Sequence, residues 1–399
     1  MRLKFEKRPE PSRFMLYATP VGAVIITMII GAILFGVIVP PPSQGFVATP
    51  AVPPPVDLGT ILSGIGSHLS FGLQAVYQVF IAPLVTSYKW GDIAVKASPL
   101  ILIGVGLAVG NRAAIWNIGA EGQYVVGGLA GVGIGLLTQK MTGVWILPSM
   151  LLAGLIGGAV WGAIPAALKN WFNVNETLSS LMMTYVAIHL MNHMVTGPWK
   201  DPSGFSFPQT PLVTPSQTLP IIVPGTYVHL GVVITLIIAV VVWFLMSRSL
   251  FGFQVRVVGS APNAARHGGF SQKATVWMVF LLSGGLAGLA GIFEVTGPFG
   301  QMSLGFPQNY GFTAIIVAFL GRLNPLGVIL AGIVLAVTYV GGDLAQSSLQ
   351  LPNASKGIFQ AMMLFFLLAS DILIRYRVRF ISNAPAPVAS AAAMRSPAE

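Results

Sequence analysis

Runs of about 20 apolar residues recur ten times along this chain, and nothing constrains its fold more. They occupy 21–39, 93–110, 119–137, 144–168, 177–196, 228–246, 274–293, 310–321, 325–342 and 357–374. About 20 helical residues cross the ~30 Å hydrocarbon core of a bilayer. Inside that core every backbone N–H and C=O must find a partner within the protein, which a helix provides. Charged residues make up only 8% of the chain and hydrophobic ones 54%, against about 25% charged in soluble domains. The expected fold is all-α: a polytopic membrane protein of about ten transmembrane helices, with broken or re-entrant segments.

Charge gives the expected orientation. The net charge of +10 sits at span ends rather than in a stripe with interleaved aromatics, so nucleic acid is not an expected partner. With alternating spans and an inner N-terminus, sixteen basic residues fall inside: Arg2, Lys4, Lys7, Arg8, Arg13, Arg112, Lys169, Arg248, Arg256, Arg266, Lys273, Arg322, Arg375, Arg377, Arg379 and Arg395. Five fall outside: Lys89, Lys96, Lys140, Lys200 and Lys356. That bias places both termini in the cytoplasm. The run at 21–39 is longer than a signal-peptide core and reads as an uncleaved first span.

The organisation follows. Residues 1–20 form a cytoplasmic N-terminus, 21–376 the membrane domain, and 377–399 a disordered cytoplasmic tail. A Pro-rich outer insertion fills 40–56, and a second Pro-rich outer loop fills 197–225. The stretch 58–88 is moderately apolar and fits a re-entrant or interfacial helix. The run 310–321 is short for a span and is followed by Arg322-Leu-Asn-Pro325, a sharp break; both features belong where helices stop at mid-membrane around a pathway. Gly127/Gly131/Gly135, Gly154/Gly158/Gly162 and Gly284/Gly288 have the small-xxx-small spacing of closely packed helices.

Few residues offer chemistry. The absence of cysteine excludes disulfides and thiolate sites. No phosphate-binding G-x-x-x-x-G-K-[ST], G-x-S-x-G or H-E-x-x-H occurs, so no catalytic residue, cofactor or metal is expected. His189 and His193 share a helix face but have no carboxylate nearby to complete a metal site. Between 100 and 137 the only charges are Arg112 and Glu121. A carboxylate in such a run is costly and implies a function; within Asn117-Ile-Gly-Ala-Glu-Gly-Gln123 it reads as capping a helix break beside a pathway, just inside the cytoplasmic end of its span. Glu294 ends another apolar run and reads either as an interfacial carboxylate or as part of the pathway. Glu176 reads as a helix cap, and Asp371 as the i,i+4 partner of Arg375. The 248–273 loop contains Gly259-Ser-Ala-Pro-Asn-Ala-Ala-Arg-His-Gly268, where Pro262 starts and Gly268 ends a short helix suited to docking a partner.

Three of these segments carry a resemblance. The 117–123 motif resembles the N-I-G-x-E-G-Q of inner-membrane permease subunits of bacterial ABC importers for nucleosides and simple sugars. Val174-Asn-Glu-Thr-Leu-Ser-Ser-Leu-Met-Met-Thr-Tyr185 resembles their V-N-E segment, and Val258 to Gly269 resembles their cytoplasmic coupling loop. Thr184 stands where the family more often has asparagine, and Pro262 precedes Asn263 where the family more often has the reverse order. The resemblance implies a permease subunit of the bacterial inner membrane for nucleosides or related ribose-type and simple-sugar solutes. It pairs with a second homologous permease subunit. It also works with ABC ATPase subunits and a periplasmic or lipoprotein substrate-binding protein. ATP hydrolysis then belongs to a partner. By this likeness Gly259, Pro262, Asn263, Ala264, Ala265, Arg266 and Gly268 form the ATPase coupling segment. By the same likeness Asn117, Glu121 and Gln123 shape or brace the substrate pathway, for which Glu294, Asn309 and Phe312 are further candidates apart from the resemblance. Trp116, Phe299, Phe306 and Tyr310 are further aromatics available to stack a base or a sugar. The rival reading is an ion-coupled secondary transporter of a small neutral solute, using Glu121 and Glu294 as ion sites.

Overall fold

The computed structural model of the chain describes residues 2–7, 13–38, 58–205, 207–352 and 354–381. The insertion at 40–56, the tail from 382 and the Asp371 and Arg375 side chains lie outside the described residues.

All ten apolar runs are helical. They are α1 (Arg13–Ile38), α4 (Lys89–Arg112), α5 (Ala120–Leu137), α6 (Ile146–Phe172), α7 (Glu176–Thr196), α8 (Leu230–Arg248), α11 (Gln272–Glu294), α12 (Tyr310–Leu320), α13 (Pro325–Leu349) and α14 (Ala354–Arg375). The connections add α2 (Leu58–Val76), α3 (Ala82–Val85), α9 (Leu250–Ser260) and α10 (Pro262–His267). Among the described residues, seven helical segments are long and apolar enough to cross a membrane, including Gly66–Val85. α5 and α7 are not among them, and α12 is short. α5 has no need of a greasy surface, because α6, α7, α11 and α12 surround it. In α4 and α11, 89% and 78% of the most apolar window is buried, against 28% in α6 and α8. α4 and α11 are therefore the axis of the bundle and α6 and α8 its rim.

The glycine spacing has a direct structural counterpart. α5, α6 and α11 cross so closely that a Cβ on Gly127 would lie 2.0 Å from the Gly288 Cα, and one on Gly158 would lie 2.2 Å from the Gly284 carbonyl oxygen. Small residues at such crossings bring backbones together where the hydrophobic effect cannot drive helices to associate.

Two features fix which ends lie together. The chain ends pair as an antiparallel ribbon, β1 (Arg2–Lys7) with β2 (Tyr376–Ile381), Arg2 opposite Ile381. The start of α1 and the end of α14 therefore share one end of the bundle. The Arg322 guanidinium, bonded to the Thr19 hydroxyl, marks that same end. Residues 377–381, expected as the start of a tail, thus belong to a strand that begins at Tyr376.

The 58–88 segment stays at the opposite end. α2 runs antiparallel to the last turns of α1, with Gly36 accepting from His68 Nδ1 at 2.6 Å and Gly72 packed on the Ala32 carbonyl. It then passes through a π-helical turn, Tyr77–Ile81. There Val79 packs on Gly341 near the end of α13, and Phe80 packs on Phe359 near the start of α14. Trp90 Nε1 donates to the Leu84 carbonyl at 3.1 Å. Every one of these contacts lies near Lys89, so the segment returns to the end from which it began.

Candidate functional site

Two polar centres lie inside the bundle, each built on a buried glutamate. The first comes from the loop between α4 and α5. After Arg112 the chain turns back into the bundle through Ala114, at φ 56°. Asn117 and Gln123 form a reciprocal amide pair: Asn117 Nδ2 donates to Gln123 Oε1 at 2.8 Å and Gln123 Nε2 donates to Asn117 Oδ1 at 3.2 Å. Asn117 also donates to Ser283 Oγ at 2.9 Å and accepts from the Gly119 N–H at 3.0 Å. α11 and the start of α5 are thereby tied to one amide. Ser180 Oγ, on α7, accepts from the Ile118 N–H.

Glu121 is fully buried. Its Oε1 accepts from the Asn309 N–H at 2.9 Å and its Oε2 from the Gly311 N–H at 2.5 Å. It therefore caps α12, a helix 190 residues away in sequence. Gly311 permits the approach, since a Cβ there would sit 2.2 Å from the Glu121 nitrogen. A carboxylate on the first N–H groups of a helix meets the positive end of its dipole.

This centre lies deeper than the sequence reading placed it. Ser283 packs on Gly106, six residues before the end of α4, or about 9 Å along the axis. α12 has 11 residues, so its N-terminus stands about 16 Å from its other end. Both measures put the centre well inside the bundle, about a third to a half of the ~30 Å that a bilayer core spans. The reason is the turn after Arg112, which carries the motif back into the bundle.

The second centre lies toward the Lys89 end. Glu294 is 2% exposed, and neither carboxylate oxygen has a hydrogen-bond donor among the described residues. Its polar neighbours are Lys96 and Tyr310; the tyrosine hydroxyl is near but outside hydrogen-bond geometry. Lys96 Nζ donates to that hydroxyl at 2.7 Å and lies over the Phe299 and Tyr310 rings at 5.4 and 5.5 Å. Tyr124 stacks on Phe306 at 4.8 Å, and its own buried hydroxyl also has no hydrogen-bond partner among the described residues. α11 gives way at this point to a π-helical turn, Val295–Phe299, containing Pro298; such turns often mark functional sites. The 197–229 loop covers the turn through backbone bonds from Val213 N to Gly300 O and Leu219 N to Thr296 O, both 2.8 Å. A cavity of about 300 Å³ opens beside it, lined by Lys89, Asp92, Lys96, Tyr227, Pro298 and Asp343 among others.

The loop at 248–273 is helical over α9 and α10. Pro262, Asn263, Ala264, Arg266 and Gly268 are exposed and Ala265 is buried. Gly259 faces inward: a Cβ there would lie 2.0 Å from the Arg112 carbonyl oxygen. α9 thus abuts the end of α4 from which the Asn117 loop departs.

The sequence-predicted residues separate accordingly. Asn117 and Gln123 meet each other, Glu121 meets Asn309, and Glu294 stands in the second centre. Phe312 is half-buried and joins none of the ring contacts. Trp116 packs on Phe319 instead of entering either centre. Glu176 is not the cap of α7: Asn175 accepts from the Thr177 and Leu178 N–H groups, and Glu176 pairs with Lys169 at 2.9 Å. His189 and His193 are exposed on α7, and no group of three His, Asp or Glu suited to a metal occurs among the described residues. Sequence reasoning missed Lys96, Tyr124 and Ser283. Lys96 was the one with a signal, a charge within an apolar run, but it was counted as an outer-loop cation.

Comparison with known proteins gives the same direction. A family model described as branched-chain amino acid transport system / permease component matches residues 90–368. A glucose ABC transporter permease protein of Haloferax volcanii is 37% identical over 316 residues, covering 77% of this chain and 83% of that one. A guanosine ABC transporter permease protein of Bacillus subtilis is 32% identical over 320 residues, covering 79% and 89%. A nucleoside ABC transporter permease protein of Lactococcus lactis is 24% identical over 324 residues, covering 76% and 86%. No solved structure matches. The chain belongs to the branched-chain amino acid transport system / permease component family.

Proposed function

We propose that this chain is the transmembrane permease subunit of an ABC importer and forms the pathway for nucleosides or related ribose-type and simple-sugar solutes. The observation that carries the reading is the half-helix α12, capped inside the bundle by Glu121 from a motif shared with such permeases. Relatives named as permeases for guanosine, nucleosides and glucose support the solute class. The ion-coupled alternative has no such support.

The membrane arrangement follows from the ribbon of chain ends and the returning 58–88 segment. With both termini at one end, the number of crossings is even. Ten crossings and one re-entrant segment satisfy it. Arg112, Arg322 and both termini then face the cytoplasm of an inner membrane by the basic-residue bias, and the Lys89 end faces outward. The exposed face of α10 docks an ABC ATPase, and Gly259 transmits its movement by abutting Arg112 instead of touching the partner. A second homologous permease completes the pathway, and a binding protein delivers solute to the Lys89 end. Asn117, Glu121 and Gln123 brace the pathway. Their polar atoms are already engaged with one another and with α11 and α12.

Co-purification tests the docking. The intact chain should retain an ATPase, and Ala264→Asp with Arg266→Asp should release it while the chain stays in the membrane. ATPase association unaffected by these substitutions would refute the docking role, and uptake driven by an ion gradient without ATP would refute the importer reading.

A further inference from the structure

We infer that Glu294, Tyr124, Tyr310 and Lys96 form a recognition site for the vicinal hydroxyl groups of a sugar ring, entered from the Lys89 end. The inference deepens the permease reading above and rests on it.

The starting observation is a cluster of unmatched polar atoms. Both oxygens of Glu294 and the hydroxyl of Tyr124 are buried without partners among the described residues. A buried polar group that makes no hydrogen bond destabilises a protein, and a carboxylate does so most. Three such atoms at one place mark a site arranged for something that is not part of the fold. Their chemistry defines the missing partner. Two carboxylate oxygens accept, so the ligand must donate at two adjacent points, as a pair of neighbouring ring hydroxyls does. The Tyr124 hydroxyl can donate to or accept from a third oxygen.

The surroundings fit the same ligand. Rings gather around the two tyrosines that neighbour the carboxylate: Tyr124 stacks on Phe306, Tyr310 meets Tyr124 edge-on at 5.9 Å, and Phe299 meets Phe306 at 5.9 Å. A sugar or a nucleoside presents apolar ring faces alongside its hydroxyls, and binding sites combine an apolar lining with a few convergent polar groups. A cationic ligand is disfavoured by Lys96, whose ammonium lies over two of these rings. Lys96 and Pro298 also line the 300 Å³ cavity at the Lys89 end, which gives the route of entry. Lys96, held on Tyr310, borders both that cavity and the carboxylate. The fully satisfied Asn117 and Glu121 centre has no comparable capacity.

The test uses membrane vesicles carrying the full chain assembled with its partner subunits and loaded with ATP. Two probe pairs are taken up: guanosine against 2′,3′-dideoxyguanosine, and glucose against 2,3-dideoxyglucose. The delivery protein is the same throughout, so its selectivity cancels when variants are compared. Wild type should prefer the hydroxylated member of its pair by about tenfold, and Glu294→Gln should reduce that preference to about threefold or less. Should Glu294→Gln fail to reach the membrane, Tyr124→Phe removes only the unmatched hydroxyl and should still lower the preference. No preference in wild type, unchanged preference in the variants, or equal loss of both members of a pair overturns the assignment. Failure of wild type to import any of the four probes overturns the permease reading instead.

Discussion

The two buried glutamates have nearly the same burial and opposite surroundings. Glu121 ends on the backbone N–H groups of Asn309 and Gly311 at the start of α12, and its neighbours Asn117 and Gln123 bond each other, α11 and the loop between. Glu294 has Lys96 and Tyr310 as polar neighbours but no hydrogen-bond donor among the described residues, and the hydroxyl of Tyr124 is unmatched there too. The difference teaches that burial of a charge does not reveal its role, whereas an account of its hydrogen bonds does. A satisfied centre holds helices in place; an unsatisfied one is stabilised by what it later binds.

The largest effect should come from emptying the first centre. Glu121→Ala leaves the Asn309 and Gly311 N–H groups at the start of α12 unpaired, at about 1–3 kcal/mol each, so a loss of about 4 kcal/mol is expected in denaturation of the purified full chain, with uptake abolished. A loss under about 1 kcal/mol would break the contrast.

A second test sharpens it from the Lys89 end. His229 is buried against Phe293 and Gly297, accepts from the Gly231 N–H, and is pushed by burial down to about 4. The folded chain therefore binds fewer protons than the unfolded chain between pH 6.5 and 4. Stability present above pH 6.5 is lost as pH falls through that window, by at most about 3 kcal/mol. Melting curves of wild type should show this loss, and His229→Asn should flatten it. The third effect is smaller: Asn117→Ala removes the amide that joins Gln123, Ser283 and Gly119, and should cost about 2 kcal/mol. It should leave the preference among solutes unchanged in uptake assays.

Much of the fold was legible in the sequence, and the reason is physical. Apolar runs, glycine spacing and the break at Arg322–Pro325 are local signals, and each of these runs is a helix. The glycines of α5, α6 and α11 pack as their spacing implied. What was illegible depends on distant partners. Nothing near Glu121 reveals that it caps a helix beginning at Tyr310, nor that the turn at Ala114 carries it into the bundle. Lys96 reads as an outer cation because a lysine in the first turn of an apolar run looks like a span end; only the fold shows its ammonium on Tyr310. Glu176 was read as a cap where the residue before it, Asn175, has the shorter side chain that reaches back to the first N–H groups. The pairing of β1 with β2 joins opposite ends of the chain and leaves no local trace.

The most direct test of the contrast is a single comparison of melting temperatures, on the purified full chain without solute, for Glu121→Gln and Glu294→Gln. An amide at 121 can accept only one of the two N–H groups it faces, so that variant should melt several degrees below wild type. An amide at 294 removes an unmatched buried carboxylate, so that variant should melt at or above wild type, by about 1 kcal/mol of added stability. Equal destabilisation by both substitutions would contradict the division into a centre that holds and a centre that binds.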